Sequence, residues 1–452
     1  MKIESGQNVL VMGLARSGEA VARLLLSHGC RVTVNERRQR EESEPEADQL
    51  AALGARLVFG GHPLSLLDDN PDYIVKNPGI PYSVPLLEEA VRRNIPIYTE
   101  IEVASWVTTS PLVAITGSNG KTTTTTLVGE ILAESGMEPV VAGNIGRVLS
   151  GLVTQVRPDQ PIVLEVSSFQ LLGVETLHPR VAALLNLYPA HLDYHETYEA
   201  YVDAKWRLFR NMGAGDVAVL NFDQAEIRQR AAQLRADVVW FSRQGEVPEG
   251  TFVANGEIVV RKSGVDTRLM ATSALGLKGE HNLENALAAT AIAIWAGASM
   301  DAARNVLMRF QGIEHRLEFV RTVGGVDWYN DSKATNPTAA IRALRSFPEN
   351  VVWIAGGLDR GDDFGVLVNE LRGKVKAAVL LGQSAKRLEA VCVDAGVQKT
   401  MLVNTVEEAV RKANDLAQPG DVVLFSPSCA SWDMFASFEE RGRIFKRAVH
   451  TL

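Results

Sequence analysis

Cysteine is scarce in this chain: Cys30, Cys392 and Cys429 are the only three among 452 residues. An odd number, widely separated, supplies neither a disulfide framework nor metal-ligand spacing, and suits a reducing compartment. Positive charge is in deficit too. Lys and Arg number 46 against 54 Asp and Glu, a net charge of −8, which argues against a general nucleic-acid binder, since such proteins carry a basic excess or patch. No apolar run approaches the length of a membrane span, and the first residues lack the apolar core of a signal segment. The expectation is a cytoplasmic protein with no nucleic acid and no membrane among its partners. Repeats and low-complexity stretches are missing, apart from the acidic segment Glu41 to Asp48, which is expected to be exposed. What remains is ordinary for a well-packed globular protein, 46% hydrophobic and 22% charged, and long enough for about three domains.

The most informative stretch is Pro111 to Thr126, PLVAITGSNGKTTTTT. Leu112 to Ile115 reads as a buried strand, and Leu127, Val128, Ile131 and Leu132 recur at helical spacing. Between them lies Gly117-Ser118-Asn119-Gly120-Lys121-Thr122-Thr123. Strand, glycine loop and helix together present backbone N–H groups and a helix N-terminus to phosphates. Lys121 is placed to meet the β/γ-phosphates and the Thr122 hydroxyl to meet Mg²⁺. The general pattern has a glycine five residues before Gly120; here that residue is Ile115.

Upstream, Asn8 to Met12 and Arg31 to Val34 read as strands around Gly13-Leu14-Ala15-Arg16-Ser17-Gly18. This is a βαβ opening with an imperfect dinucleotide fingerprint, compatible with NAD or with another nucleotide diphosphate. Asp72 to Val75 is a further strand, delivering the turn Lys76 to Ile80. Near Thr99 to Ser110 the chain passes into a second domain. There Gly143-Asn144-Ile145-Gly146 forms a second glycine turn, and Ile162 to Glu165 is a strand ending in an acid. That carboxylate suits Mg²⁺ beside a phosphate loop, or caps the following helix. Val181 to Leu187 reads as a strand leading to His191-Leu192-Asp193-Tyr194-His195, followed by a helix with Tyr201, Lys205, Leu208 and Phe209 on related faces. A lysine on such a helix is ordinarily solvated. Residues 213 to 275 alternate strand-like runs with polar turns, and an alanine-rich helix runs from Gly279 to about Trp295. A third α/β unit begins near Ile313, with strands Glu318 to Thr322, Val326 to Asn330, Val351 to Ala355, Ala377 to Leu381 and Val422 to Phe425. The loops Asn330 to Pro337, Gly356 to Gly361 and Ser426 to Asp433 all leave strand carboxyl ends and predict one binding face; Phe435 and Phe438 are expected on the last helix.

With the phosphate loop, the ELSSFQ-like strand, the His-x-Asp segment, the NDSKATN loop and the SPxxAS segment taken in order, the chain resembles the Mur ligase family. The resemblance runs from about residue 9 to the C-terminus. It implies an α/β fold of three domains, with Rossmann-like N-terminal (1–99) and C-terminal (313–452) domains flanking a P-loop ATPase-like central domain (100–312). The Gly117–Thr123 loop is shared with folylpolyglutamate synthases, whereas Asn330 to Asn336 and Ser426 to Asp433 resemble members that add D-glutamate to UDP-N-acetylmuramoyl-L-alanine. The DNPR motif of the diaminopimelate- or lysine-adding relative is missing.

Carried over residue by residue, the resemblance implies that Lys121, His191 and Lys205 are catalytic. ATP would be held by Gly117, Ser118, Asn119, Gly120, Lys121, Thr122 and Thr123, with Asn285, Arg316 and Asp331 at its base and ribose. Two Mg²⁺ ions would be held by Thr122, Glu165, His191 and Lys205, the last as a carbamylated lysine. Ser17, Arg37 and Gly79 would surround the uridine diphosphate and Asn144 the muramoyl group. Lys333, Thr335, Arg360, Ser431 and Phe438 would receive D-glutamate. The implied partners are UDP-N-acetylmuramoyl-L-alanine and D-glutamate, acted on by a monomer in cytoplasmic peptidoglycan precursor synthesis. Two positions depart from the pattern: Asn35-Glu36-Arg37 replaces an Asp-Thr-Arg type sequence, and Arg360 stands where some members have lysine.

The chemistry suits these residue types. Making an amide from a carboxylate requires a better leaving group than oxide, which an acyl phosphate provides. Its formation brings two anions together, so positive charge must be concentrated at the phosphate loop. An oxidoreductase built on the N-terminal βαβ unit is the alternative from another class, but the better phosphate loop lies in the central domain. A nucleotide sensor without catalysis would have no use for Glu165, His191 and Lys205 together.

Overall fold

Short aliphatic and β-branched runs, many of them ending at glycine or proline turns, assemble into three sheets among the described residues. The computed structural model describes residues 2–40, 44–144, 147–277 and 279–452. The chain divides into two compact units, Met1–Phe310 and Gln311–Leu452. Among the described residues no helix is long and apolar enough to cross a membrane.

The first unit holds two sheets. In the five-stranded one, Asn8–Met12 lies at the centre, paired in parallel with Arg31–Glu36 on one side and Tyr73–Lys76 on the other. Arg56–Phe59 and Ile97–Tyr98 complete its edges. The nine-stranded sheet is parallel across seven strands, with Leu112–Thr116 between Ile162–Glu165 and Val181–Leu184. Its far edge is an antiparallel meander through Glu257–Lys262 and Val265–Ala271. Strands buried on both faces explain why Leu112–Thr116 and Ile162–Glu165 read as unbroken apolar runs rather than alternating ones. The two sheets are tied by buried polar contacts. Thr99 Oγ1 donates to Gln170 O at 2.6 Å, and the Glu102 carboxylate accepts from Thr176 N at 2.7 Å and Leu177 N at 3.0 Å.

The second unit is a single six-stranded sheet, parallel except for the edge strand Glu318–Val323. Val326–Asn330 pairs with Val422–Phe425 so that Asn330 faces Phe425, bringing the two motif loops out side by side.

Three expectations need adjustment. The strand from Val181 ends at Leu184 rather than Leu187. Phe435 precedes the last helix, which starts at Phe438 because Ser437 caps it, its side chain accepting from Glu440 N. The acidic segment is helical from Glu44 to Ala52, with Ala47 buried; Glu41 to Ser43 lie outside the described residues, as do Ile145 and Gly146 of the second glycine turn.

Candidate functional site

The phosphate loop forms as the sequence predicts. Leu112–Thr116 is buried throughout and the helix Lys121–Glu134 follows, with Gly120 as its N-cap at φ +81°. A side chain at Gly120 would be strained in that conformation and would collide with Asn285, whose Oδ1 would lie 2.1 Å from the added carbon. The loop is held from outside. Ser118 N donates to Asn186 O at 3.0 Å, Asn119 N to Asn186 Oδ1 at 2.8 Å, and Ser118 Oγ lies 2.7 Å from Tyr201 OH. Asn186 and Tyr201 therefore shape the loop, although nothing in their sequence context announces it.

Two lysines converge on this loop. Lys121 Nζ donates to Gly117 O at 2.7 Å and Ser118 O at 3.0 Å; Lys205 Nζ donates to the same Gly117 O at 2.9 Å. Lys205 is 1% exposed, so the ordinary reading of a solvated lysine fails. Burial, and then the Lys121 charge, push its ammonium well below the usual lysine range. The Tyr201 ring lies 4.7 Å from its Nζ.

Glu165 stands at the carboxyl end of the neighbouring strand, 1% exposed. Its Oε1 accepts from Asn144 Nδ2 at 3.1 Å, whereas Oε2 is buried without a hydrogen-bond partner among the described residues. It does not cap the next helix. Ser167 does so, in a reciprocal box with Gln170. A buried carboxylate oxygen left open beside a phosphate loop fits a hard cation. Mg²⁺ is such a cation: it takes one or two carboxylates and completes its shell with water and phosphate oxygens. His191 sits in the left-handed region (φ +56°), exposed, with its ring edge-on to Phe169.

A strut connects this turn to the first sheet. Lys76, 1% exposed, donates to Asn77 O, Pro78 O, Ile80 O and Tyr194 OH over 2.9 to 3.3 Å, and Tyr194 OH in turn donates toward the Pro78 and Ile80 carbonyls. It thereby fixes the 77–80 turn, where Asn77 Nδ2 donates to Ser17 Oγ and Gly79 N to Asn77 Oδ1, both at 3.2 Å. Gly79 and Arg37 line a cavity of about 640 Å³ at this sheet edge; Arg37 is exposed. Glu36 is committed elsewhere. Its Oε2 accepts from Leu14 N at 2.6 Å and Oε1 from Arg38, contacts that hold its carboxyl below the usual range against the effect of burial. In a dinucleotide site the acid at this strand end would instead take a ribose hydroxyl.

In the second unit Asp331 is 5% exposed and joins both loops: Oδ2 accepts from Ser426 Oγ at 2.8 Å, Oδ1 from Leu317 N at 3.1 Å. Burial pushes its carboxyl up to about 6. Ser431 is buried, Lys333 and Thr335 are half-buried, and Arg316 is exposed. The Arg360 guanidinium stacks on the Trp432 ring at 4.4 Å. Gly357 passes so close to Ala430 O that an added carbon would sit 2.3 Å from it, which pins the Gly356–Gly361 loop to the Ser426–Asp433 segment. Phe438 opens the last helix, and its carbonyl accepts from Ser332 Oγ at 2.8 Å.

The organiser here is Arg441, three residues past Phe438 and easily overlooked in sequence. It is 1% exposed and donates to Ser332 Oγ at 3.1 Å, Ser332 O at 2.8 Å and Cys429 O at 3.0 Å. Arg441→Met retains much of the volume but strands these buried oxygens. We expect a loss of about 2–4 kcal/mol in denaturant unfolding, together with a raised KM for whatever the two loops bind. An unchanged unfolding midpoint would show that the loops do not depend on it.

The whole chain can now be set beside known proteins. Residues 7–99 match the Mur ligase MurD-like N-terminal domain, 115–293 the Mur ligase middle domain, and 315–429 the Mur ligase glutamate ligase domain. The UDP-N-acetylmuramoylalanine–D-glutamate ligase of Geobacillus kaustophilus is 47% identical over 99% of this chain and 98% of that protein. Its counterpart in Shouchella clausii is 48% identical over 99% and 97%. Among solved structures, a MurF from Acinetobacter baumannii superposes with a TM-score of 0.54 over 98% of this chain and 92% of that one, at 20% identity, and so shares the fold. Identity of this extent, together with three domain matches in order, shows that the chain belongs to the Mur ligase family.

Proposed function

We propose that this protein uses ATP to join D-glutamate to the lactoyl-alanine carboxylate of UDP-N-acetylmuramoyl-L-alanine, in the cytoplasmic stage of peptidoglycan precursor synthesis. The observation that carries the reading is the 47% identity, end to end, with a protein named for that reaction. The substrate carboxylate attacks the γ-phosphate, releasing ADP and leaving an acyl phosphate. The D-glutamate amine then attacks that carbonyl, and phosphate departs.

In this reading the loop from Gly117 to Thr123 and Lys121 cradle the phosphates. Asn285, Arg316 and Asp331 hold the ATP base and ribose, Asn285 reaching the loop as well, since its amide lies against Gly120. Ser17, Arg37 and Gly79 take the uridine diphosphate, and Asn144 the muramoyl group. Lys333, Thr335, Arg360, Ser431 and Phe438 receive D-glutamate, Arg360 offering a planar fork that a lysine lacks. Thr122, Glu165, His191 and Lys205 would hold two Mg²⁺ ions, which neutralise phosphate charge when bound. Glu165 Oε2, buried without a hydrogen-bond partner among the described residues, supports that assignment. Lys205 would serve as a carbamate, formed when CO₂ adds to the uncharged amine with release of a proton.

Phosphate release tests the proposal. It is expected only when UDP-N-acetylmuramoyl-L-alanine and D-glutamate are both present with ATP. Equal or faster release with L-glutamate, L-lysine or a folate would show the acceptor to be wrong.

A further inference from the structure

The cavity at the edge of the first sheet contains one hydrogen-bond acceptor whose state is set by its neighbours. Asn35 is fully buried at the end of the Arg31–Glu36 strand. Its Nδ2 donates to Val58 O at 3.1 Å and Gly61 O at 2.7 Å. Two carbonyls can only accept, so the amide orientation is fixed and Oδ1 must be an acceptor. Oδ1 faces His62 Nδ1 at 2.5 Å. Nδ1 must therefore carry the ring's proton, and in the neutral imidazole Nε2 is left as a bare acceptor. His62 is half-buried and lines the cavity with Gly13, Glu36, Arg37, Asn77 and Gly79. The side-chain carboxylate and amide oxygens there are engaged within the protein: Glu36 by Leu14 N and Arg38, Asn77 Oδ1 by Gly79 N. His62 Nε2 has no partner among the described residues.

We infer that His62 is a specificity-determining residue that reads the pyrimidine of the nucleotide substrate, its Nε2 accepting the N3–H of uracil. The inference rests on the placement of uridine diphosphate at this sheet edge. Uracil offers a donor at N3, flanked by two carbonyls. Cytosine offers an acceptor at the same position and would set two lone pairs against each other. Methylation at N3 removes the donor and adds bulk. Protonated His62 would become a donor at Nε2 and lose the match. Burial and the Arg37 charge lower its pKa from the ordinary histidine value while Glu36 raises it, and the net shift is downward. Arg38 faces the same end through Glu36. The neutral acceptor form thus prevails at neutral pH, and uridine affinity should fall as the solution is acidified.

Calorimetric titration of the full chain with UDP, CDP and N3-methyl-UDP tests this. Wild type is expected to favour UDP over both others by roughly tenfold or more, the scale of one hydrogen bond lost and a partner left unpaired. His62→Phe should weaken UDP by a similar factor and level the three, while His62→Gln, which retains an acceptor oxygen, should recover part of the preference. Between about pH 8 and about pH 5.5, either side of histidine's ordinary range, UDP affinity should drop in wild type and stay level in His62→Phe. If His62→Phe kept the full preference with unaltered melting, His62 would not be the reader, even with UDP bound where Arg37→Ala weakens it. Wild type binding UDP and CDP equally would overturn the inference without any substitution. No measurable binding of any of the three would overturn the uridine diphosphate placement along with it.

Discussion

Lys121→Ala is expected to lower the rate of ATP-dependent phosphate release by at least ~10²-fold, the usual scale for removing one preorganised electrostatic contact from a transition state. The lysine begins the helix that follows the loop, and its ammonium is already held over that loop by the carbonyls of Gly117 and Ser118. Little rearrangement is then needed to bring positive charge where the β/γ-phosphates gather negative charge. A purely structural reading also exists, in which the lysine only braces the loop. The two separate by measurement. Bracing alone would lower the melting temperature and spare turnover per folded molecule, whereas the electrostatic role spares melting and removes turnover. Lys121→Arg should not rescue fully, because a planar guanidinium does not replace a compact ammonium in a tight loop. Near-normal turnover in a normally melting Lys121→Ala protein would sink the assignment of the loop to phosphate.

Much of the architecture was legible because apolar runs buried on both faces stop abruptly at polar residues. Asn8–Met12, Val326–Asn330 and Val422–Phe425 agree with the sequence reading to the residue. Where reading failed, apolarity reported burial without pairing. Leu185 and Leu187 are both buried but lie beyond the strand that ends at Leu184. The start of the last helix could have been found: Ser437 and Glu440 stand in capping-box spacing, which places Phe435 outside. The site divides similarly. The phosphate loop and Glu165 announce themselves through a local strand context, so motif spacing sufficed. Arg441, Lys76 and His62 act through partners roughly 110, 120 and 30 residues away in sequence, or through loops with no motif of their own. No local pattern encodes such a contact; it exists only once the sheets have brought the segments together.

Lys205 carries the second large effect. Its Nζ and that of Lys121 both donate to Gly117 O, at 2.9 and 2.7 Å, so two ammonium groups would crowd one carbonyl, with Lys205 itself 1% exposed. Like charges at such range repel strongly when solvent cannot screen them, and burial alone already disfavours the charged amine, hence the downward shift of Lys205. An uncharged amine is the form that adds CO₂. A carbamate would keep one N–H, enough to retain the bond to Gly117 O, and would convert the like-charge pair with Lys121 into an opposite one. It would also supply two hard oxygens, the donor type that Mg²⁺ selects. Lys205→Ala is therefore expected to lose at least ~10²-fold in turnover, and to regain part of it with added acetate or formate, whose oxygens can occupy the vacated space. Wild-type protein equilibrated with ¹³C-bicarbonate should show a carbamate carbon resonance that Lys205→Ala lacks. Full turnover in Lys205→Ala without any added carboxylate would mean that the buried amine serves packing, and that the repulsion from Lys121 is relieved in some other way.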